Sequence, residues 1–154
     1  MEDLLPFDEN QKIIFSQKPI SISSDLRPIY KMSQILLMLK FNGYKERLSL
    51  LQIQYLNWLL KHQEKLFRLN LKKDTLPFDI IHLDNTVKKA LDYCLGEKLI
   101  HILDNGKFEL LPKGDKLVKL ITTEKIMKEN IKILKTLSKQ KVSEIQIKKM
   151  ISGN

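Results

Sequence analysis

The residues whose types and spacing could do chemistry suit contact with nucleic acid. Asn85, Lys88, Lys89 and Asp92 recur at three- and four-residue spacing, which places them on one face of a predicted helix. Lysines can contact phosphates, and the amide of Asn85 could read an adenine edge. Lys107, beside a predicted hairpin turn, would add a third cation. Because Asp92 would face the phosphates with the wrong sign, this surface predicts a weak, salt-sensitive and non-specific contact with DNA.

Motifs for catalysis and metal binding are missing from the sequence. It contains no Gly-rich phosphate loop, HExxH, CxxC or GxSxG pattern. His62, His82 and His101 have no neighbour at ligand spacing. The single cysteine, Cys94, lies on the apolar side of its helix and is expected in the core. We therefore expect a binding protein with no enzymatic activity, no cofactor and no metal ion.

The element that must position these residues is a helix that begins near residue 84. Asp84 or Asn85 can cap its first turn, and Gly96 suits a left-handed residue at its end. Apolar residues at three- and four-residue spacing make one stripe along it: Val87, Ala90, Leu91, Cys94 and Leu95.

A β-hairpin is predicted directly after this helix. Residues 99–103 and 107–111 are strand-like, and Asn105-Gly106 between them predicts a tight turn with positive φ at both residues. Pro112 then opens another helix. The order helix, hairpin, helix is typical of a winged helix.

Two helices are predicted before this unit. The first covers residues 29–41, and the second begins with a capping box formed by Ser49 and Gln52. The second helix is apolar nearly all round, which indicates a central position or a surface covered by another chain. Tyr55 and Trp58 on this helix are therefore predicted to form part of a partner interface.

Further helices are predicted after the hairpin. The first, over residues 115–121, would turn four apolar residues inward: Leu117, Val118, Leu120 and Ile121. Residues 122–124 mark the start of the next helix, whose outer face is basic: Lys125, Lys128, Lys132, Lys135 and Lys139. Ser143 and Gln146 can cap a last short helix.

The expected fold class is mainly α (α+β), organised in three parts. These are an irregular N-terminal arm (1–27), a winged helix-turn-helix domain with one β-hairpin wing (28–121) and a Lys-rich helical extension (122–154). The arm is acidic but carries apolar residues that would lie back on the domain or dock on a partner: Leu4, Leu5 and Phe7.

Composition bounds the function further. The chain has 154 residues, 43% of them hydrophobic, so it can bury one ordinary core. The net charge of +9 is concentrated in residues 113–154, which hold 11 lysines against 4 acidic residues. Only three arginines are present, which argues against sequence-specific DNA reading. Without an apolar leader or a membrane-spanning stretch, the expected location is the cytoplasm, with no membrane contact.

Three stretches carry a family resemblance: RPIYKMSQILLML (27–39), SLLQIQYLNWLL (49–60) and FELLPKG (108–114). In these stretches the chain resembles the middle components of prokaryotic three-component systems built around an SMC-like ABC ATPase, including the Lamassu-type anti-phage systems. The resemblance implies a non-catalytic subunit that holds an effector, often nuclease-like, near the heads of an SMC-like ATPase that senses invading DNA. It carries over no catalytic residue.

Two functions from different classes therefore compete. One is an adaptor that bridges an SMC-like ATPase subunit and an effector subunit in a defence complex. The alternative is a MarR-like winged-helix transcriptional regulator, whose terminal helices would form a dimer. The apolar second helix and the apolar arm favour the adaptor.

Overall fold

Six helices and three short strands make up the part of the chain that the structure, a computed structural model, describes. That part comprises residues 27–62, 84–137, 139 and 142–152. The elements are α1 (Pro28–Asn42), β1 (Arg47–Leu48), α2 (Leu50–Lys61), α3 (Asn85–Gly96), β2 (Ile100–Ile102), β3 (Phe108–Leu110), α4 (Pro112–Thr123), α5 (Lys128–Thr136) and α6 (Glu144–Ser152). The protein is thus mainly helical with a small antiparallel sheet. The predicted N-terminal arm lies outside the described residues.

Helix α1 is the centre of the fold, and it packs against α3, α4, α5 and the sheet. Its predicted apolar stripe is buried, but so are polar residues on its other faces. Asn42 donates from Nδ2 to the carbonyl oxygens of Leu134 (3.0 Å) and Leu137 (3.3 Å). Gln34 donates to Asn130 Oδ1 at 2.8 Å. Because these groups find partners inside the protein, α1 can be covered on every side.

Helix α2 begins with the predicted capping box, which is confirmed. Ser49 Oγ accepts from the backbone of Gln52 (3.2 Å), and the Gln52 side chain accepts from the backbone of Ser49 (2.8 Å). Gln52 also donates from Nε2 to the carbonyl of Val142 at 2.8 Å. One side chain therefore ends α2 locally and ties it to the segment before α6.

Helix α3 has the predicted apolar stripe, and Asp84 is its N-cap. The prediction for its C-terminus is wrong. Gly96 is the last helical residue, and the left-handed conformation belongs to Lys98, with φ of 60°. The chain continues helically through Gly96 because Glu97 still donates to the carbonyl of Tyr93.

The sheet has the strand order β1-β3-β2, and all neighbours are antiparallel. The sequence pattern indicates β2 and β3 but not β1, because two residues are too few to show alternation. The hairpin turn also differs from the prediction, since only Gly106 has positive φ (86°). Gly106 donates to the carbonyl of Leu103 (2.9 Å), and Leu103 donates to Lys107 (2.7 Å), which makes a three-residue loop.

The chain after the hairpin departs from two predictions. In α4 only Gly114, Val118 and Ile121 are buried, whereas Leu117 and Leu120 are exposed. Residues 122–123 still belong to α4, and α5 begins only at Lys128, after left-handed residues at Lys125 and Met127. The outward lysines of this region are exposed as predicted.

The C-terminal residues share the core of the rest of the chain. The predicted boundary between residues 121 and 122 lies inside α4. Four side chains beyond it are buried in the same hydrophobic cluster: Leu134, Leu137, Val142 and Ile147. Ser143 Oγ accepts from the backbone of Gln146 at 3.3 Å at the start of α6, as predicted.

Candidate functional site

The outer face of α3 carries the residues predicted to contact nucleic acid. Asn85, Lys88, Lys89 and Asp92 are all exposed, and Tyr93 beside them is about one-third exposed, at 36%. Among the described residues, none forms an ion pair with Lys88 or Lys89. The structure therefore places a small, accessible cationic surface on α3, with the acidic side chain of Asp92 one turn further along.

Asp84 holds the N-terminus of this helix in place. Its carboxylate Oδ1 accepts from the backbone (2.9 Å) and hydroxyl (2.6 Å) of Thr86, and Oδ2 accepts from Asn57 (3.0 Å) and Lys61 (2.8 Å). Burial opposes the charged form of Asp84, but the hydrogen bonds from Lys61, Thr86 and Asn57 outweigh it, so its pKa lies below the ordinary value. The carboxylate thus joins α2 to the first turn of α3.

A buried lysine extends this network to α1. Lys31 is 1% exposed, and its ammonium group donates to Asn57 Oδ1. Gln54 on α2 exchanges two hydrogen bonds with the backbone of Asp84, at 3.1 and 3.3 Å. Since a buried charge is costly without partners, these contacts determine how α3 sits on α1 and α2.

The hairpin contributes less to this surface than predicted. Lys107 lies 3.8 Å from Glu144 of α6, so part of its charge is balanced within the chain. Glu109 on β3 accepts from His101 (2.7 Å) and from Arg47 (2.6 Å), one on each neighbouring strand. These bonds, from His101 first and then Arg47, lower the pKa of Glu109. His101 is therefore paired across the sheet and is not the isolated residue that sequence spacing indicates.

The residues predicted to contact a partner protein fare unequally. Tyr55 is completely buried inside the chain, so its prediction as an interface residue is corrected: the ring is part of the core. Burial also raises the pKa of its hydroxyl. Trp58 is partly exposed and stacks against Tyr55 with ring centroids 6.2 Å apart. The other three predicted residues lie outside the described part of the chain: Leu4, Leu5 and Phe7.

An apolar cavity of about 240 Å³ opens between α1, α4 and the start of β2. Its apolar lining comprises Ile29, Met32, Leu36, Leu99, Leu117 and Ile121. Beside it Leu120 is 54% exposed. A signal for this surface exists in the sequence, because residues 117, 118, 120 and 121 span about 160° of the helix, wider than the stripe of about 100° that faces a core. The edge of that arc is left outside.

Comparisons of the chain with protein families, with curated proteins and with solved structures found no match. Within the described residues, none of the helices has the length and apolar character needed to cross a membrane. The same residues include no group of three or more His, Cys, Asp and Glu side chains placed to hold a metal ion.

Proposed function

We propose that this protein is a cytoplasmic winged-helix adaptor that bridges an SMC-like ABC ATPase and an effector subunit in an anti-phage or anti-plasmid defence complex. The resemblance carried by residues 27–39, 49–60 and 108–114 names the partners. The adaptor binds proteins through rigid surfaces and carries out no catalysis.

The order of the elements supports the winged-helix part of the proposal. The chain runs α1-β1-α2-α3-β2-β3, and the strand order is β1-β3-β2. In a winged helix, two packed helices precede a hairpin wing, and a short strand from between the first helices completes the sheet. Here α2 and α3 would be the helix-turn-helix pair, and β2 and β3 the wing.

The apolar cavity and the two leucines beside it are the observation that carries the adaptor proposal. Leu117 and Leu120 remain exposed on a chain that buries its other core positions closely. An apolar patch with a concave centre is a common docking surface for another protein. The cationic face of α3, with two free lysines and no arginine, is thin by comparison for a specific reader of DNA.

The variant Leu120→Glu should lose its protein partners while remaining folded. Leu120 is more than half exposed, so a glutamate there is hydrated in the free chain but would be buried without a partner charge in a complex. We expect at least a tenfold loss of co-purified ATPase after nuclease treatment and a high-salt wash. Those conditions remove contacts carried by nucleic acid alone.

Ile145→Glu is the matched control, because Ile145 is also an exposed aliphatic residue but lies on α6, away from the cavity. It should keep the partner. Equal retention of partner by both variants would refute this docking surface, and a wild-type chain that purifies as a homodimer without partners would refute the adaptor.

The alternative, a MarR-like transcriptional regulator, is favoured by one observation, the exposed Asn85, Lys88 and Lys89 on α3. The double variant Lys88→Ala, Lys89→Ala separates the two functions. In an adaptor it should only reduce the slope of log K against log salt by about 2, one for each phosphate contact. In a regulator it should abolish binding to a specific operator, measured by fluorescence anisotropy with labelled duplex DNA.

A further inference from the structure

A second, polar pocket of about 340 Å³ lies between the start of α1 and the outer face of α3. It is lined by Arg27, Pro28, Lys31, Thr86, Lys89, Ala90 and Tyr93. The volume falls in the range of sites for small ligands. This pocket is separate from the apolar cavity and shares no lining residue with it.

The charge of the pocket is one-sided. Three of its lining residues are cationic, and none of the described residues that line it is acidic. Lys31 is buried and held by Asn57, so it contributes a fixed positive charge, whereas Lys89 is exposed and can reach a ligand. The nearest carboxylate in the hydrogen-bond network is that of Asp84, which accepts from Thr86 and is paired with Lys61.

The backbone adds to this field. Arg27, the N-cap of α1, makes no capping hydrogen bond through its side chain, and the first turn of α1 holds no acidic residue. A helix N-terminus carries a partial positive charge, and α1 is 15 residues long. At the N-terminus of α3, by contrast, Asp84 already supplies the negative charge.

Tyr93 supplies a different chemistry at the same pocket. Its ring is partly exposed and follows Lys89 by one helical turn, so both side chains lie on the same face of α3. An aromatic ring beside cations can stack on a nucleobase while the cations hold its phosphate.

We propose that this pocket binds the terminal phosphate and first base of a nucleotide. Lys89 and Arg27 contact the phosphate, Lys31 and the N-terminus of α1 supply the surrounding positive potential, and the base stacks on Tyr93. The ligand is either a free nucleotide or the 5′-phosphorylated end of a nucleic-acid strand, because both present the same phosphate monoester.

The test is an NMR titration of the ¹⁵N-labelled full chain with three probes. They are AMP, a short 5′-phosphorylated single-stranded DNA and the same DNA with a 5′-hydroxyl. We expect AMP and the phosphorylated strand to shift the amide signals of Thr86 and Tyr93, and the 5′-hydroxyl strand to bind about tenfold more weakly. Tighter binding of the phosphorylated strand than of AMP identifies a strand end, and equal binding identifies a free nucleotide.

Lys89→Ala should weaken binding of the preferred probe about tenfold, the loss of one charge-assisted contact. Lys88→Ala is the matched control, because Lys88 is its exposed neighbour on α3 but does not line the pocket. It should change the affinity less than twofold. Equal losses in both variants, or equal binding of the phosphorylated and hydroxyl strands, would overturn the proposal. Neither result bears on co-purification of an ATPase.

Discussion

Asp84→Ala should lower the free energy of unfolding by about 3 kcal/mol. The substitution removes the N-cap of α3, which is worth about 1 kcal/mol. It also removes the acceptor of Asn57 and Lys61, and hydrogen bonds to charged groups contribute about 1.5–3 kcal/mol each when buried. Lys61 is partly exposed, so its share is at the low end. Urea denaturation at pH 7, followed by circular dichroism, measures the loss.

Asp84→Asn separates the cap from the charge. Asparagine caps a helix about as well as aspartate, so this variant keeps the cap and loses the charged interaction with Lys61. We expect a smaller loss, about 1 kcal/mol. A loss as large as that of Asp84→Ala would show that the charge, and not the cap, dominates.

The pH dependence of this difference has a defined sign. The pKa of Asp84 is lower in the folded chain than in the unfolded one, where it is about 3.9. The stabilisation by the carboxylate is therefore complete above that value and is lost as the pH falls through the folded-state pKa. We expect the gap in stability between the wild type and Asp84→Asn to narrow when the pH is lowered from 7 to 3. An unchanged gap would contradict the charged interaction.

Gly114→Ala should lower the free energy of unfolding by about 2 kcal/mol or more. A Cβ atom at this position would lie 2.3 Å from the carbonyl oxygen of Leu99 and 2.7 Å from Leu110 Cδ1. The leucine side chain can move, but the Leu99 carbonyl is held because it accepts from the backbone of Leu111 at 2.9 Å. Overpacking of this kind costs about 3 kcal/mol, and the better helix propensity of alanine offsets about 1 kcal/mol of that.

Gly96→Ala is the control for this substitution. Gly96 is also helical, and a Cβ atom there would have no neighbour within 4 Å. Alanine should therefore leave the stability unchanged or raise it by up to about 1 kcal/mol. The two variants are compared by their urea midpoints. Equal behaviour of both would mean that α4 does not pack as closely on Leu99 as the structure has it.

Local signals in the sequence predicted the elements well. The capping box of Ser49 and Gln52, the cap at Asp84 and the stripe of α3 depend on residues three or four positions apart, which helix geometry alone brings together. The exposure of Lys88 and Lys89 follows from the same periodicity. Where two local solutions were open, as for a left-handed residue at Gly96 or at Lys98, the sequence pattern favoured the wrong one.

Contacts between distant parts of the chain decided the rest. Lys31 and Asn57 are 26 residues apart, Arg47 and Glu109 are 62 apart, and no sequence period relates them. The burial of Tyr55, the exposure of Leu120 and the assembly of Arg27, Lys31 and Lys89 in one pocket depend on how the helices pack. The sequence by itself thus determined where helices and hairpin form, because hydrogen bonds and caps are local. Only the tertiary structure decided which faces remain open for binding, because burial is a property of neighbours that are far apart in the chain.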